Sequence, residues 1–412
     1  MNLCLDKFKT KGFIDVPSSK SYAHRVLIMA FLTKSKVLVE DIEFSDDINY
    51  TLNALIEMGA VVKKYDNAVE FVDYNECPSE LILEVGLSAS TLRFLIPIAT
   101  SLADHVIFKA DRTLLKRPLS AYYPLLNKGG VDYLVTESEL ILKGKLNLDH
   151  VSVNGEISSQ FVTGMLFYIC LHEEARLRVE GESVSCSYIE MTKDVMNRFG
   201  YDVIFDKGVY RVLKIDNFIE TIAIEKDYSQ LSFWAVLGVL NGEIKVSKFN
   251  KESLQGDRVI IDILKKLDCL VIDKEDFYIF KESKINKDIE IDLQECIDLG
   301  PILFVLAAFN KGVTTFYNVD RLMVKESDRL NAMKTELEKI GVDFKCFDSK
   351  VIIKGCEGYA NDCAFNTYGD HRVAMSLMVL ACLIKGNNIV KDVECISKSY
   401  PKFINHLFSL KI

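Results

Sequence analysis

The sequence predicts an α/β protein of two domains, in which one small unit of alternating strands and helices is repeated six times. The first observation is a run of small hydroxyl residues followed by an unbroken apolar stretch, as in residues 17–32. The second is its recurrence, because similar segments begin near positions 17, 86, 157, 226, 296 and 366, at intervals of 69 to 71 residues. This period exceeds the roughly 20–50 residues of solenoid repeats, so each copy should be a small fold of several elements. The third is the length of 412 residues, which is too great for one ordinary core.

Each repeat is predicted to begin with a loop that enters a buried helix. Serine is a good N-cap, and the apolar stretch that follows has no polar face, as expected of a helix buried between sheets. A short β-rich segment follows each first helix. These segments are residues 36–40, 105–109, 175–179, 243–246, 313–317 and 388–391.

A second helix completes the crossover in each repeat, and two short strands usually follow it. Apolar residues at i, i+3 and i+4 indicate that this second helix is amphipathic and lies nearer the surface. The predicted second helices are residues 47–58, 118–126, 188–199, 257–267, 328–340 and 402–410. The order predicted for each unit is therefore strand, helix, strand, helix, strand, strand.

Three repeats are assigned to each domain. Residues 20–224 should hold repeats 1–3, and residues 1–19 together with 225–412 should form a discontinuous domain with repeats 4–6. No Pro/Gly-rich linker separates the halves, so we expect the chain to cross near residues 224–226 and the first residues to pair with the C-terminal half. Helix N-termini from both domains could then converge on a cleft between them, where the sequence predicts the active site.

Composition limits the kinds of partner that the protein can bind and the compartment in which it can lie. The chain has 50 Lys and Arg against 59 Asp and Glu, and the net charge of −9 argues against nucleic acid or an anionic membrane. The eleven cysteines are scattered, without paired metal-ligand spacing, and indicate reduced thiols in a cytosolic protein. The start lacks signal-peptide character, and no charge-free apolar run reaches membrane-spanning length. We therefore expect a cytoplasmic protein.

Basic residues recur beside the predicted helix starts of this acidic protein. A cation at a helix N-terminus is unfavourable by about 0.3–1 kcal/mol unless an anion also binds there. The residues are Lys20, Arg25, Arg93, Arg117, Lys325, Arg329, Arg372 and Lys398. Arg117 precedes Pro118, which predicts a helix start, and alone would be typical of a surface arginine, as Lys398 would be of a surface lysine. Together they predict one or two small substrates that bear phosphate and carboxylate groups.

Several polar residues allow two interpretations. Ser158, Ser159 and Gln160 open an apolar helix, either as an ordinary N-cap or as uncharged donors to phosphate oxygens. Asp298 interrupts an apolar stretch, either as a helix cap or as a buried base with a raised pKa. Lys325 and Arg329 would repel each other at i, i+4 on a helix, unless Glu326 and Asp328 neutralise them in a solvated network. No Walker loop, Rossmann fingerprint, metal-ligand motif or nucleophile elbow is present.

At these residues the chain resembles the 5-enolpyruvylshikimate-3-phosphate (EPSP) synthases, a family of enolpyruvyl transferases. The likeness spans the whole chain and is specific because its motifs occur together and in order. The motifs are residues 19–25, Arg117–Pro118, residues 158–161, Gln255–Gly256–Asp257, residues 325–329 and residues 370–372. It implies two domains of three βαβαββ repeats each, which close on the substrates.

The resemblance also implies an activity and a set of roles. The family transfers the enolpyruvyl group of phosphoenolpyruvate to the 5-hydroxyl of shikimate-3-phosphate through a tetrahedral intermediate and releases phosphate, in aromatic amino-acid and chorismate biosynthesis. Asp298 resembles the base and Glu326 the acid, with Lys20 as an alternative proton carrier. No metal or cofactor is implied, and the expected partners are the two substrates, with no nucleic acid and no membrane, bound by a monomer.

The binding residues divide between the two substrates. The shikimate-3-phosphate contacts are expected mainly in the domain of residues 20–224, and the phosphoenolpyruvate contacts mainly in the other. The residues that resemble shikimate-3-phosphate contacts are Lys20, Ser21, Arg25, Ser158, Ser159, Gln160, Ser185, Asp298 and Lys325. Those that resemble phosphoenolpyruvate contacts are Lys20, Arg93, Arg117, Gln160, Arg329, Arg372 and Lys398.

Four positions depart from the family pattern. Leu87 stands where the family usually has Asn, Ala89 where it often has Gly, Arg321 where it commonly has Asn, and Met323 where it commonly has Arg. In the family, the position of Ala89 packs against the far end of glyphosate, an inhibitor that occupies the phosphoenolpyruvate pocket and is longer than that substrate. The methyl group of Ala89 therefore predicts tolerance to glyphosate.

Two alternatives remain at this point. The sister enzymes that add enolpyruvyl to a UDP-amino sugar share the fold, but their mobile loop carries a cysteine, and this sequence has none between Cys77 and Cys170. An inactive fold-mate that only binds phosphorylated ligands is favoured by Leu87 and Arg321. The retention of Asp298, Glu326 and Lys20 argues against it.

Overall fold

The computed structural model describes residues 1–215, 219–247, 249–355 and 358–412. The chain separates into two units with their own internal contacts. Unit 1 comprises Met1–Pro17 and Lys226–Ile412, and unit 2 comprises Ser18–Glu225. The chain therefore passes from one unit to the other twice, after Pro17 and after Glu225.

The elements of the first 225 residues follow the predicted alternation. In order they are β1 (Leu3–Leu5), β2 (Thr10–Ile14), α1 (Lys20–Leu32), β3 (Leu38–Glu40), α2 (Asp46–Glu57), β4 (Ala60–Lys64), β5 (Val69–Tyr74), β6 (Glu80–Gly86), α3 (Ala89–Leu102), β7 (His105–Ala110), α4 (Arg112–Leu115), α5 (Tyr123–Lys128), β8 (Asp132–Val135), β9 (Glu139–Lys143), β10 (His150–Asn154), α6 (Ser159–Leu171), β11 (Arg176–Glu180), α7 (Cys186–Arg198), β12 (Tyr201–Asp206), β13 (Val209–Lys214) and β14 (Thr221–Ala223).

The remaining elements include four 3₁₀ helices, η1 to η4. In order they are α8 (Tyr228–Asn241), β15 (Gly242–Ser247), η1 (Gly256–Val259), α9 (Ile260–Lys266), β16 (Leu270–Asp273), β17 (Phe277–Lys281), β18 (Ile289–Asp292), η2 (Ile297–Leu299), α10 (Gly300–Ala308), β19 (Val313–Tyr317), η3 (Asp320–Val324), α11 (Arg329–Glu338), β20 (Asp343–Phe347), β21 (Lys350–Lys354), β22 (Ala364–Phe365), α12 (His371–Ala381), β23 (Asn388–Val390), η4 (Val393–Lys398) and α13 (Phe403–Ser409).

Unit 2 contains three four-stranded sheets of one design. Their strand orders are β14-β3-β5-β4, β6-β7-β9-β8 and β10-β11-β13-β12. In each sheet the first pair is parallel and the last pair is an antiparallel hairpin. In the second and third sheets a buried helix, α3 or α6, joins the two strands of the parallel pair. The first sheet takes its outer strand from the end of the unit, because β14 pairs with β3 from Thr221 opposite Leu38. Unit 2 therefore closes on itself within one continuous stretch of chain.

Unit 1 has a similar design but depends on the N-terminal segment. Two of its sheets have the orders β16-β17-β15-β2 and β18-β19-β21-β20, and the third has three strands, β1-β23-β22. Here β2 runs parallel to β15, and β1 runs antiparallel to β23. Strands of the first residues therefore pair with strands of the C-terminal half of the chain.

The first helix of each repeat is buried on nearly all sides, as its apolar sequence predicts. In unit 2 these are α1, α3 and α6, and in unit 1 they are α8, α10 and α12. Each unit has its own apolar core around its three helices. A helix without a polar face needs cover all around it, which sheets and neighbouring helices supply. The N-terminal turns of these helices carry the polar side chains described below.

Three local predictions were wrong. Pro118 does not begin a helix, because α5 starts at Tyr123 and the polypeptide before it forms the short helix α4 and turns. Residues 257–259 are 3₁₀ rather than α-helical. Lys325 and Arg329 do not share a helix, since Lys325 follows η3 and Arg329 begins α11.

No helix among the described residues has the length and apolar character needed to cross a bilayer.

Candidate active site

A buried arginine that has no carboxylate partner among the described residues marks the first cluster of unit 2. Arg25, on the second turn of α1, is 2% exposed. Its guanidinium donates to the Thr192 hydroxyl at 2.8 Å and to the backbone carbonyl oxygens of Ser21 at 2.7 Å and Tyr188 at 3.0 Å, and more weakly to the Thr163 hydroxyl. Burial lowers the pKa of Arg25 to about 10. All of its described partners are neutral, so its charge is left for an anion to balance.

A second arginine of unit 2 has the same character. Arg93, on the first turn of α3, donates to Gln160 Oε1 at 2.8 Å and to the Pro118 carbonyl at 3.0 Å, and its guanidinium lies over the ring of Phe161. Burial lowers its pKa to about 10, and the nearby charge of Arg117 acts in the same direction. No carboxylate contacts Arg93 within the described part of the chain. Two neighbouring guanidinium groups in a buried place form a site for an anion.

Gln160 connects α6 to α3. Its side-chain amide donates to the Ser90 hydroxyl at 3.0 Å while its oxygen accepts from Arg93. Ser158 caps α6, accepting from the Gln160 backbone N–H at 3.3 Å, so its ordinary capping role is present. Ser159 is the first residue of the helix and is buried. The start of α6 thus places the side-chain amide of Gln160 against the Arg93 guanidinium.

Lys20 is the first residue of α1, where its charge opposes the helix dipole. Its ammonium group donates to Asp47 Oδ2 at 2.6 Å. Asp47 lies in the first turn of α2 and is buried. This carboxylate holds the lysine in place.

Ser185 occupies the N-cap position of α7 with a left-handed backbone (φ 53°) and is 1% exposed. A non-glycine residue in this region of backbone space is uncommon and often marks a functional position. Tyr188, one turn later, supplies a carbonyl to Arg25. The start of α7 therefore contributes to the same cluster as α1 and α6.

In unit 1, three cationic groups meet at the carboxylate of Asp298. Arg329 Nη1 donates at 2.8 Å, Arg372 Nη2 lies at 3.2 Å and Lys325 Nζ at 3.3 Å from its oxygens. Asp298 lies in η2, immediately before α10, and its side chain is 20% exposed. Burial lowers the pKa of Lys325 to about 8, although Asp298 acts in the opposite direction. The carboxylate is thus surrounded by three cationic donors.

Asp370 fixes the orientation of Arg329. It accepts from Arg329 Nε at 2.7 Å and Nη2 at 3.3 Å and also caps α12 through the backbone N–H of Arg372. Burial raises the pKa of Asp370, but Arg329 outweighs burial and the net direction is down. Because Asp370 holds one edge of the guanidinium, the other edge is directed at Asp298.

Glu326 lies between two potential cations. Its Oε2 is 2.8 Å from His371 Nδ1, and its Oε1 is 2.9 Å from Lys398 Nζ. Burial alone would raise the pKa of Glu326, but His371 and Lys398 hold it well below its ordinary value. In this arrangement Glu326 is a carboxylate.

Three of these side chains are close enough to hold a metal ion. Ligand atoms of Glu326, Asp370 and His371 lie within 4.8 Å of one another. Asp370 and Glu326 are already bonded to Arg329 and Lys398, so an added cation would have to displace those groups. We retain the prediction that no metal is used.

The structure thus brings the sequence-predicted residues into two clusters, one in each unit. Unit 2 holds Lys20, Ser21, Arg25, Arg93, Arg117, Ser158, Ser159, Gln160 and Ser185, and unit 1 holds Asp298, Lys325, Glu326, Arg329, Arg372 and Lys398. The sequence analysis missed Asp47, which pairs with Lys20. The acidic pair at the start of the predicted second helix was a usable signal. It also missed Thr163 and Thr192, for which nothing in the sequence distinguishes them from other buried threonines.

Comparison with known proteins agrees with this geometry. The model of the EPSP synthase (3-phosphoshikimate 1-carboxyvinyltransferase) family matches residues 7–407. The 3-phosphoshikimate 1-carboxyvinyltransferase of Clostridium kluyveri is 35% identical over 98% of this chain and 95% of its own length, and that of Clostridioides difficile is 32% identical over 96% and 94%.

Solved structures show the same fold. EPSP synthase from Acinetobacter baumannii superposes with a TM-score of 0.80 at 20% identity, over 100% of this chain and 98% of that one. The enolpyruvyl transferase NikO from Streptomyces tendae superposes with a TM-score of 0.77 at 14% identity, over 99% and 97%. The predicted two-domain enolpyruvyl transferase fold is confirmed, and the chain belongs to the EPSP synthase (3-phosphoshikimate 1-carboxyvinyltransferase) family.

Proposed function

We propose that this protein transfers the enolpyruvyl group of phosphoenolpyruvate to the 5-hydroxyl of shikimate-3-phosphate and releases phosphate. The observation that carries the proposal is the pair of buried arginines in unit 2, Arg25 and Arg93, whose described partners are all neutral. A buried cation without a carboxylate partner is stable only if an anion arrives or the site stays partly hydrated. Two such cations suit two phosphorylated substrates.

In unit 2, the cluster around Arg25 is the proposed shikimate-3-phosphate site. Ser21, Ser158, Ser159, Gln160 and Ser185 would donate to its phosphate and hydroxyl groups, and Arg25 would balance its charge. Arg93 and Arg117 would take the phosphoenolpyruvate anion, with Gln160 and Lys20 serving both ligands. Among the departures, Leu87 and Ala89 lie at the start of α3, next to Ser90 and Arg93.

In unit 1, Arg329, Arg372 and Lys398 are proposed contacts to phosphoenolpyruvate, and Lys325 and Asp298 to shikimate-3-phosphate. Asp298 would take the proton from the attacking hydroxyl. In the free protein Arg329 and Arg372 contact its oxygens, and transfer of those cations to the substrate would leave the carboxylate able to accept the proton. Cations released in this way would stabilise the charge that develops on the departing phosphate.

Glu326 is the proposed acid that protonates the methylene carbon, and this role requires it to gain a proton. Lys398 and His371 hold it ionised here. If Lys398 turns to the phosphate of the bound ligand, Glu326 loses one of the two charges that lower its pKa and becomes able to carry a proton. Lys20, fixed by Asp47, is the alternative proton carrier.

Mixing the protein with both substrates and following phosphate release tests the proposal. Phosphate should appear only when shikimate-3-phosphate and phosphoenolpyruvate are both present, and a chelator should not slow its release. Release with a UDP-amino sugar in place of shikimate-3-phosphate would assign the protein to the sister activity. Binding of both substrates without release would instead indicate an inactive fold-mate.

The remaining predictions concern the oligomeric state, the compartment and the macromolecular partners of the protein. A monomer in the cytoplasm, with no nucleic acid or membrane partner, is consistent with the net charge of −9 and the lack of a membrane-spanning helix among the described residues. Light scattering after size-exclusion chromatography measures the oligomeric state directly. A mass near twice 46.7 kDa would contradict the monomer.

A further inference from the structure

A buried carboxyl group of unit 1 is left without a role in this mechanism. Asp257 lies in η1, the 3₁₀ turn that precedes α9, and is only 5% exposed. One of its carboxyl oxygens, Oδ1, is enclosed and has no hydrogen-bond partner in the part of the chain that the structure describes. A buried carboxylate without a donor is strongly unfavourable, so such a group usually acquires a partner or a proton.

The groups that face Asp257 come from several elements. Asp227 caps α8, Asp298 lies in η2, Arg372 in α12, and Lys325 follows η3. Cys296, just before η2, also lies near, but burial raises the pKa of its thiol and leaves it uncharged. Three carboxyl groups therefore share this region with two cations.

The hydrogen bonds distinguish the three carboxyl groups. Asp227 accepts from the backbone N–H groups of Ser229 at 2.8 Å and Gln230 at 3.1 Å. Asp298 accepts from the cationic groups described above. Both carboxyl groups therefore have hydrogen-bond donors that point at their oxygens. Among the described residues no donor reaches Asp257 Oδ1, so this carboxyl group is the one of the three that has room for a proton of its own.

The electrostatics agree with the geometry. Burial raises the pKa of Asp257 to about 8, and the charge of Asp298 adds to this effect, whereas Arg372 and Lys325 oppose it. A pKa in this range would leave the group protonated at neutral pH.

We propose that Asp257 is a positioning residue that carries a proton at neutral pH and so keeps Asp298 as the ionised partner in a carboxyl pair. The role rests on the proposed function of Asp298. A neutral Asp257 leaves the charges of Arg372 and Lys325 available to anionic substrates, whereas an ionised Asp257 neutralises one of them and repels the incoming phosphate and carboxylate groups. The protein should then lose substrate affinity as Asp257 ionises.

Infrared difference spectroscopy tests the protonation without requiring turnover. In protein labelled with ¹³C in its aspartate carboxyl groups, a protonated-carboxyl band should be present at pH 7 and disappear with a midpoint near pH 8. The band should be absent from Asp257→Asn. A native protein without this band at pH 7, or an unchanged band in the variant, overturns the proposal even if the protein is an active transferase.

The pH profile of kcat/KM tests the functional consequence. Lys325 also has a pKa of about 8, so two protons leave the cluster above that pH. On the alkaline side of the profile, kcat/KM of the native enzyme should fall by about a hundredfold per pH unit, because two groups lose a proton. In Asp257→Asn it should fall by about tenfold per pH unit, because only one of these groups remains. Asp262→Asn, an exposed change five residues further on, should keep the native pH dependence. If kcat/KM depends on alkaline pH in the same way in the native and Asp257→Asn proteins, Asp257 has only a structural role and the proposal is wrong.

A second variant covers the case in which Asp257→Asn does not fold. In Asp298→Asn the neighbouring negative charge is removed, so the Asp257 band should disappear at a lower pH than in the native protein. A midpoint that does not move would show that the two carboxyl groups are not coupled and would overturn the proposal.

Discussion

Asp298 of unit 1 contacts three cationic side chains, and these contacts determine which substitution can test its role. Replacing it with alanine would leave Arg329, Arg372 and Lys325 without their shared carboxylate, and stability would be lost together with activity. Asparagine keeps the shape and one acceptor oxygen but cannot take up a proton. The conservative variant therefore separates the chemical role from the structural one.

The prediction for Asp298→Asn is a fall in kcat of on the order of 10²–10⁴-fold, the usual contribution of a general base. Binding of shikimate-3-phosphate, measured by calorimetry, should persist in weakened form, because the variant loses the Asp298 contact but keeps the proposed contacts of the unit 2 cluster. Asp292→Asn, at an exposed carboxylate that accepts from Gln294 and Asn318 in the same stretch, is the matched control and should stay near normal. A near-normal kcat in Asp298→Asn would remove Asp298 from the mechanism.

Ala89 is a single-methyl departure beside the proposed phosphoenolpyruvate site. It is the first residue of α3, between Ser88, which caps the helix, and Ser90, which accepts from Gln160. A methyl group in a packed pocket penalises a longer ligand by about 1–3 kcal/mol, which corresponds to roughly 5- to 150-fold in affinity. The shorter substrate should be affected less.

We therefore expect a glyphosate-tolerant enzyme that becomes sensitive on Ala89→Gly. Inhibition constants of the two forms, compared at equal saturation with phosphoenolpyruvate, measure the effect. Ala99→Gly, a change of the same size at a buried site on the last turns of α3, controls for loss of helix stability. Equal inhibition constants would mean that Ala89 does not determine tolerance.

At the scale of elements, the join between α8 and β15 depends on a glycine. Gly242 begins β15, which runs parallel to β2 with Gly242 opposite Thr10. A Cβ at this position would lie 1.9 Å from the Thr10 carbonyl oxygen, and a backbone atom in a paired strand cannot easily move away. The backbone of Gly242 is extended (φ 176°), so the constraint is steric and not conformational.

Gly242→Ala should lower the free energy of unfolding by about 1–3 kcal/mol, as for other overpacking substitutions. Gly300→Ala is the matched control, because its added Cβ would meet the tip of the flexible Leu322 side chain at 2.9 Å and could be accommodated. Urea unfolding curves of the two variants should therefore differ. Equal losses would show that the pairing of β2 with β15 tolerates displacement.

At the scale of the whole molecule, the two units differ in how their chains are connected. Unit 2 is one continuous segment whose outer strand β14 returns to pair with β3. Unit 1 needs residues 1–17, because β1 and β2 complete two of its three sheets. Long-range pairing of this kind costs loop-closure entropy and leaves an open sheet edge if the partner is missing.

We expect a fragment of residues 18–225 to unfold cooperatively on its own, whereas residues 226–412 should not fold until a peptide of residues 1–17 is added. Circular dichroism during urea titration measures the cooperative unfolding of the first fragment and the folding of the second. The scrambled peptide is the control and should have no effect. Independent folding of residues 226–412 would show that β1 and β2 are dispensable for unit 1.

Much of this architecture could be predicted from local sequence. The six-fold period, the buried first helices and the strands that follow them depend on hydrophobic pattern and capping residues, which act over a few neighbours. The strand predicted at residues 313–317 coincides with β19, and the serine before Lys20 is the N-cap of α1. The basic residues beside helix starts could also be predicted, because the helix dipole is a local property of the helix.

Partners across the fold could not be predicted in this way. Asp47 pairs with Lys20 and Asp370 with Arg329 because separate elements pack together, and no spacing in the sequence encodes those contacts. Pro118 was taken for a helix start, but its carbonyl accepts from Arg93 in a turn, where tertiary contacts outweigh a local preference. The sequence by itself determined the repeats, the elements and the basic residues beside helix starts. Only the tertiary packing brings each cation to its carboxylate and leaves Asp257 Oδ1 without a donor among the described residues, since hydrogen bonds and burial depend on residues distant in the chain.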